Sequence, residues 1–196
     1  LPIAAAHGHK QLVEVLLKRG AKPDAQNSIG STALMGAALN GHVQVVETLL
    51  RHGAEINLLD SGSVTALICA ADRGHERVVD LLLRHGAEVD LQDGGGYTAL
   101  TVAAYYDHPV VVLQLLRAGA DMALRTAAGK TALQIAKEEG HTECGEAVRT
   151  YLGEVAAARS KAAAVEAGGA GARGAPAGEA EAGTSAAASA SGGEGG

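Results

Sequence analysis

The sequence predicts a mainly α-helical solenoid of stacked helix–turn–helix pairs linked by β-hairpin loops. Three observations carry that expectation. The stretch Gly30-Ser31-Thr32-Ala33-Leu34-Met35-Gly36-Ala37-Ala38-Leu39-Asn40-Gly41-His42 has its core repeated by Thr65-Ala66-Leu67, Thr98-Ala99-Leu100 and Thr131-Ala132-Leu133, at a constant offset of 33. Val45-Val46, Val78-Val79 and Val111-Val112 precede Leu49-Leu50, Leu82-Leu83 and Leu115-Leu116 in the same register. Gly53-Ala54, Gly86-Ala87 and Gly119-Ala120 then close each unit. A fixed period of this length marks a stacked repeat, in which each unit buries its apolar face only against its neighbours.

Within a repeat the order reads helix, tight loop, helix, Gly, hairpin. Thr32, Thr65, Thr98 and Thr131 suit the N-cap position, where a hydroxyl accepts an orphan backbone N–H. The short first helix is rich in Ala (Ala37-Ala38, Ala70-Ala71, Ala103-Ala104), which lets neighbouring helices approach closely. The second helix places Val45, Val46, Leu49 and Leu50 on one buried face. Gly20, Gly53, Gly86 and Gly119 end it in the left-handed region. The polar stretches from Asp24 to Ser31, Asn57 to Val64 and Asp90 to Tyr97 are turn-rich and suit hairpins.

The register places a first repeat at 1–26, lacking its hairpin and cap, followed by repeats at 27–59, 60–92, 93–125 and 126–152. Residue 1 falls inside a repeat, so further sequence is expected upstream. Repeat five carries Gly145 and Arg149 where its predecessors have Val and Leu, with Glu143 and Glu146 nearby. A charge buried in the next stacking row would be costly, so the stack is expected to end there as a terminal cap. Residues 153–167 read as a helical extension. Residues 168–196 are Ala, Gly, Ser and Glu with almost no large apolar side chain, and are expected to be disordered.

Thr-Ala-Leu, Ala-Ala, Gly-His, Val-Val, Leu-Leu and Gly-Ala, in this order over residues 1–152, resemble the ankyrin repeat. Ala33, Ala66, Ala99 and Ala132 stand where that family has Pro, and Met35, Ile68, Thr101 and Gln134 where it has His. The resemblance implies a non-catalytic scaffold or adaptor that binds a partner protein through a concave face of hairpin tips and inner helices. An alternative is the regulatory or targeting arm of a larger enzyme or channel. It also implies a candidate hydroxylation at Asn57, with Leu49, Glu55 and Ile56 at the spacing such a substrate presents.

The balance of charge excludes other classes. Lys and Arg number 16 against 22 Asp and Glu, a formal net charge of -6 over 196 residues. That is a poor footprint for gripping phosphates, so no nucleic-acid partner is expected. The two cysteines, Cys69 and Cys144, are too few for a disulfide scaffold and point to a reducing compartment, cytoplasm or nucleus. No apolar run is long enough for membrane insertion. The expectation is a monomer without cofactor.

Chemical sites fare poorly. His9, His42, His75, His108 and His141 recur once per repeat. Stacked helices lie about 8–10 Å apart, whereas zinc ligands sit about 2 Å from the metal, so this ladder reads as structural. Ser28, Ser31, Ser61 and Ser63 lie in loops without a paired base, and Gly94-Gly95-Gly96 lacks the Lys-Ser/Thr of a phosphate loop. Neither a catalytic nor a metal site is expected.

The positions free of packing duty are more informative. They are the hairpin tips and the two residues ending each first helix, which line the concave face in ankyrin-like proteins. They include Leu39 and Asn40, Asp72 and Arg73, Tyr97, Tyr105 and Tyr106, and Lys130, Glu138 and Glu139. The chain has no Trp or Phe and only four Tyr, three of them at these positions of repeat four. Tyr offers rigid, amphipathic contact area. A partner-binding centre at Tyr97, Tyr105 and Tyr106 is therefore expected, flanked by Asp72 and Arg73 on one side and Glu138 and Glu139 on the other.

Overall fold

A computed structural model describes residues 1–169, which form ten helices and, among the described residues, no strand. The chain divides into two units, Leu1–Ala157 and Ala158–Gly196. The stretch from 170 onward, which holds most of the tail expected to be disordered, lies outside the described residues.

The first unit alternates short and longer helices. The short ones are α1 (Pro2–Ala6), α3 (Ala33–Leu39), α5 (Ala66–Asp72), α7 (Ala99–Tyr105) and α9 (Ala132–Glu139). The longer ones are α2 (Lys10–Lys18), α4 (Val43–Arg51), α6 (Glu76–Arg84), α8 (Pro109–Arg117) and the part of α10 (Thr142–Gly169) up to Ala157. The short helices form one row, each packed on the next from α1 to α9, and α2, α4, α6 and α8 form a second. Between the rows lies one continuous core of Ala, Val and Leu. In α4, Val45, Val46 and Leu49 are buried while Leu50 is only half-buried. α10 runs without a break through Gly153.

Each cap threonine works as its position demands. Thr32, Thr65, Thr98 and Thr131 accept the N–H of the residue three further on. At Thr98 and Thr131 that third residue returns the bond. Thr101 Oγ1 and Gln134 Oε1 accept the cap N–H at 2.7 and 2.9 Å. Residues standing where the family has His are thus used within their own repeat, closing its first turn.

The connections between pairs are not β-hairpins, and the reason is local. Asn27, Asp60 and Asp93 each send a backbone N–H across the loop, to Ser31, Val64 and Tyr97. In a strand pair the return bond would reach the same residue's carbonyl. Here the side-chain oxygen takes it, since Ser31, Val64 and Tyr97 donate to Asn27 Oδ1, Asp60 Oδ1 and Asp93 Oδ1 at 2.8–2.9 Å. The loops become Asx-closed turns. They still join edge to edge: Ser61 N–H bonds Ile29 O, Gly94 N–H bonds Gly62 O and Ala127 N–H bonds Gly95 O, at 3.0, 2.8 and 2.8 Å.

The two ends differ from the middle. Ile3 is 79% exposed on α1, with Leu12 and Val15 exposed on α2. The expectation of a closed C-terminal cap needs correction. Arg149 stands in solvent as expected, but Leu133 and Leu152 are also about half exposed. Gly145 contributes no side chain that could cover them.

Candidate functional site

A groove of about 430 Å³ is built from three successive repeats. α3 supplies Leu39. The loop and helix of the next repeat supply Val64, Ile68, Cys69 and Asp72, and repeat four adds Asp93, Tyr97, Val102, Tyr105 and Tyr106. The phenol rings of Tyr105 and Tyr106 meet edge to face, with centroids 4.9 Å apart. They sit where α7 ends, so neither is drawn into the stack, and they are 41% and 52% exposed. Tyr97 is half-buried and packs against the core.

The charges that line the groove are carboxylates. Asp93 Oδ1 is occupied by Gly95 and Tyr97 N–H groups, which hold Tyr97 in place. Asp72 pairs with Arg73 through Nε at 3.0 Å. The Cys69 thiol is pushed up to about 12 by burial and by the nearby carboxylates of Asp60 and Asp72. It is a neutral lining group rather than a nucleophile.

Five of the residues singled out in the sequence therefore share the groove: Leu39, Asp72, Tyr97, Tyr105 and Tyr106. Asn40, Arg73, Glu138 and Glu139 do not line it. Asn40 turns back to donate to Gly36 O at 2.9 Å, and Glu138 is held by Lys130. Val64, Ile68, Cys69, Asp93 and Val102 complete the lining. Val64 stands at the same freely varying loop position as Tyr97 and Lys130 and belongs to the expected face; Ile68 and Val102 read only as core.

Asn57 lies elsewhere. Its Oδ1 accepts Glu88 N–H at 2.9 Å and its amide donates to Glu88 Oε1 at 3.0 Å. Asp24 and Asp90 likewise accept Glu55 and Asp121 N–H, so this position ties the first four repeats in succession.

The histidines form a second zip. His42, His75 and His108 direct Nε2 to Ala6 O, Leu39 O and Asp72 O, at 3.0, 3.0 and 3.1 Å. His141 reaches Ala104 O through Nδ1 instead. Among the described residues no three His, Cys, Asp or Glu side chains cluster as metal ligands would.

Paired helices in two rows, with loops joined edge to edge and a groove along the row of short helices, define a helical repeat solenoid. The chain belongs to the ankyrin repeat family: a family profile described as ankyrin repeats (3 copies) matches residues 1–93, 55–126 and 85–159. Comparison with curated proteins finds no match. Ankyrin repeats are generally protein-interaction modules and typically non-catalytic. Among the described residues no helix is long and apolar enough to cross a membrane.

Proposed function

We propose that this ankyrin domain is a non-catalytic scaffold or adaptor that grips a partner protein through the concave groove, with Tyr105 and Tyr106 as its anchors. The observation that carries the reading is the exposed edge-to-face tyrosine pair beside a lining whose charged groups are all carboxylates. Aromatic faces next to Asp72 and Asp93 suit a Lys or Arg side chain of the partner. Tyr97, whose backbone N–H is held by Asp93, adds a third aromatic ring to the lining, and the Asp72–Arg73 and Lys130–Glu138 pairs make a charged rim. The reading includes a monomer in a reducing compartment, cytoplasm or nucleus, supported by two unpaired cysteines.

The test is Tyr105→Ala with Tyr106→Ala, assayed against a partner recovered by pull-down, with melting followed in parallel. A loss of about 2 kcal/mol in binding at unchanged stability is the expected result. Unchanged binding with a lowered melting temperature would mean that the tyrosines serve only packing.

A further inference from the structure

The leucine that opens each first helix shows what the solenoid's C-terminal end lacks. Leu34, Leu67 and Leu100 are each 2% exposed, because α5, α7 and α9 cover the helices that carry them. Leu133, at the same position of α9, is 49% exposed, and Leu152 on α10 is 48% exposed. Between them runs a trough of about 440 Å³, walled by Leu133 and Ala136 on α9 and by Val148 and Leu152 on α10. An adjoining recess of about 240 Å³ shares these four residues.

We propose that this trough is a second docking site, separate from the concave groove, and that its occupant is an acidic amphipathic helix of a partner protein. The shape calls for a helix, because α9 presents the face that α3, α5 and α7 each give to a following helix. The recess receives its largest apolar side chain. The charge calls for acidic flanks. The charged side chains lining the trough are Lys137 on one wall and Arg149 on the other. Neither makes an ion pair among the described residues. Of the nearby carboxylates, Glu138 is engaged by Lys130, and Glu139, Glu143 and Glu146 do not line the trough. A second copy of the chain fits less well. Its exposed first helix, α1, reads Pro-Ile-Ala-Ala-Ala and offers no carboxylate to either cation.

The experiment uses the full chain and two fluorescent amphipathic helical peptides with the same Ala/Leu face, one flanked by Glu and one by Lys. Anisotropy should show the Glu peptide binding about tenfold tighter. Lys137→Glu with Arg149→Glu should reverse that preference, and Leu133→Gln should weaken both peptides. Tyr105→Ala with Tyr106→Ala should leave the affinity of the Glu peptide unaltered, because those tyrosines line the other groove and not the trough. All three variants change exposed side chains, and circular dichroism checks that each remains folded. Equal binding of the two peptides, or a preference that survives charge reversal, would overturn the proposal. So would self-association, seen by sedimentation, that Leu133→Gln abolishes, since a second copy would then fill the trough.

Discussion

Gly41 and Gly53 both have positive φ, 71° and 81°, yet they answer to different constraints. A Cβ on Gly53 would meet nothing within 4 Å, whereas one on Gly41 would lie 2.7 Å from His75 Nδ1. Gly53→Ala should therefore cost only the left-handed backbone term, about 1 kcal/mol. Gly41→Ala should cost about 1 kcal/mol more, because displacing the ring breaks its bond to Leu39 O; urea unfolding of the two variants measures the difference. Asp107, at φ 57°, holds the same turn in repeat four with a side chain. The next histidine, His141, is the one that bonds through Nδ1 rather than Nε2.

The thiols also act at this scale. Burial first, then neighbouring carboxylates, push Cys69 and Cys144 up to about 12; Asp107 accepts from Cys144 Sγ at 3.4 Å. Folded, both stay protonated while the unfolded chain titrates from its ordinary value of 9.0. Their contribution to stability should thus be complete below about pH 9 and decline as pH rises towards 12. Iodoacetamide at about pH 8 should label neither thiol quickly in the folded chain and both in urea. Rapid labelling of Cys69 without urea would contradict its placement.

At the scale of elements, α10 is the helix whose course depends on a specific tie. Arg117 on α8 donates to Glu154 through Nε and Nη2, at 3.1 and 2.5 Å. The bond holds the Glu154 carboxyl below the usual carboxylate range and raises the Arg117 guanidinium. Because the carboxyl is lowered, its stabilisation is present above the unfolded value and lost as pH falls through the folded one. Glu154→Gln should reduce helicity relative to the parent at neutral pH, with the difference vanishing in acid and shrinking in high salt. A pair this exposed acts on the local helix more than on the global fold. The measurement is ellipticity at the two pH values; a difference that persists in acid would exclude the ion pair as its cause.

For the whole molecule, stability is a sum over stacked neighbours, so the cost of a lesion depends on where it falls in the stack. Leu67 is 2% exposed between two neighbours, and Leu67→Ala should cost about 2–5 kcal/mol. Leu133 is the same residue type at the same repeat position but 49% exposed, and Leu133→Ala should cost well under half as much. Hydrogen exchange should be slowest in α5 and α7 and fastest at the two ends, where each helix pair lacks a neighbour. Uniform protection along the chain would contradict a nearest-neighbour solenoid.

The period of 33, the Thr caps and the Val-Val and Leu-Leu blocks determined the helix pairs and their order without any coordinates. Those are local rules of capping and burial, and repetition restates them in every unit. The rarity of aromatics likewise brought Tyr97, Tyr105 and Tyr106 forward, and all three line one groove. The tertiary structure decided contacts that the repeat pattern does not name. Glu138 looked like a free flank until Lys130, eight residues away in sequence, was seen to hold it. Ile68 and Val102 are core residues, 5% and 7% exposed, that also reach the groove wall. The loops looked like hairpins until Asx side chains were found taking the bond a second strand needs. Leu133 has the sequence of a buried leucine and the environment of an exposed one, because burial in a solenoid belongs to the neighbour that covers a residue.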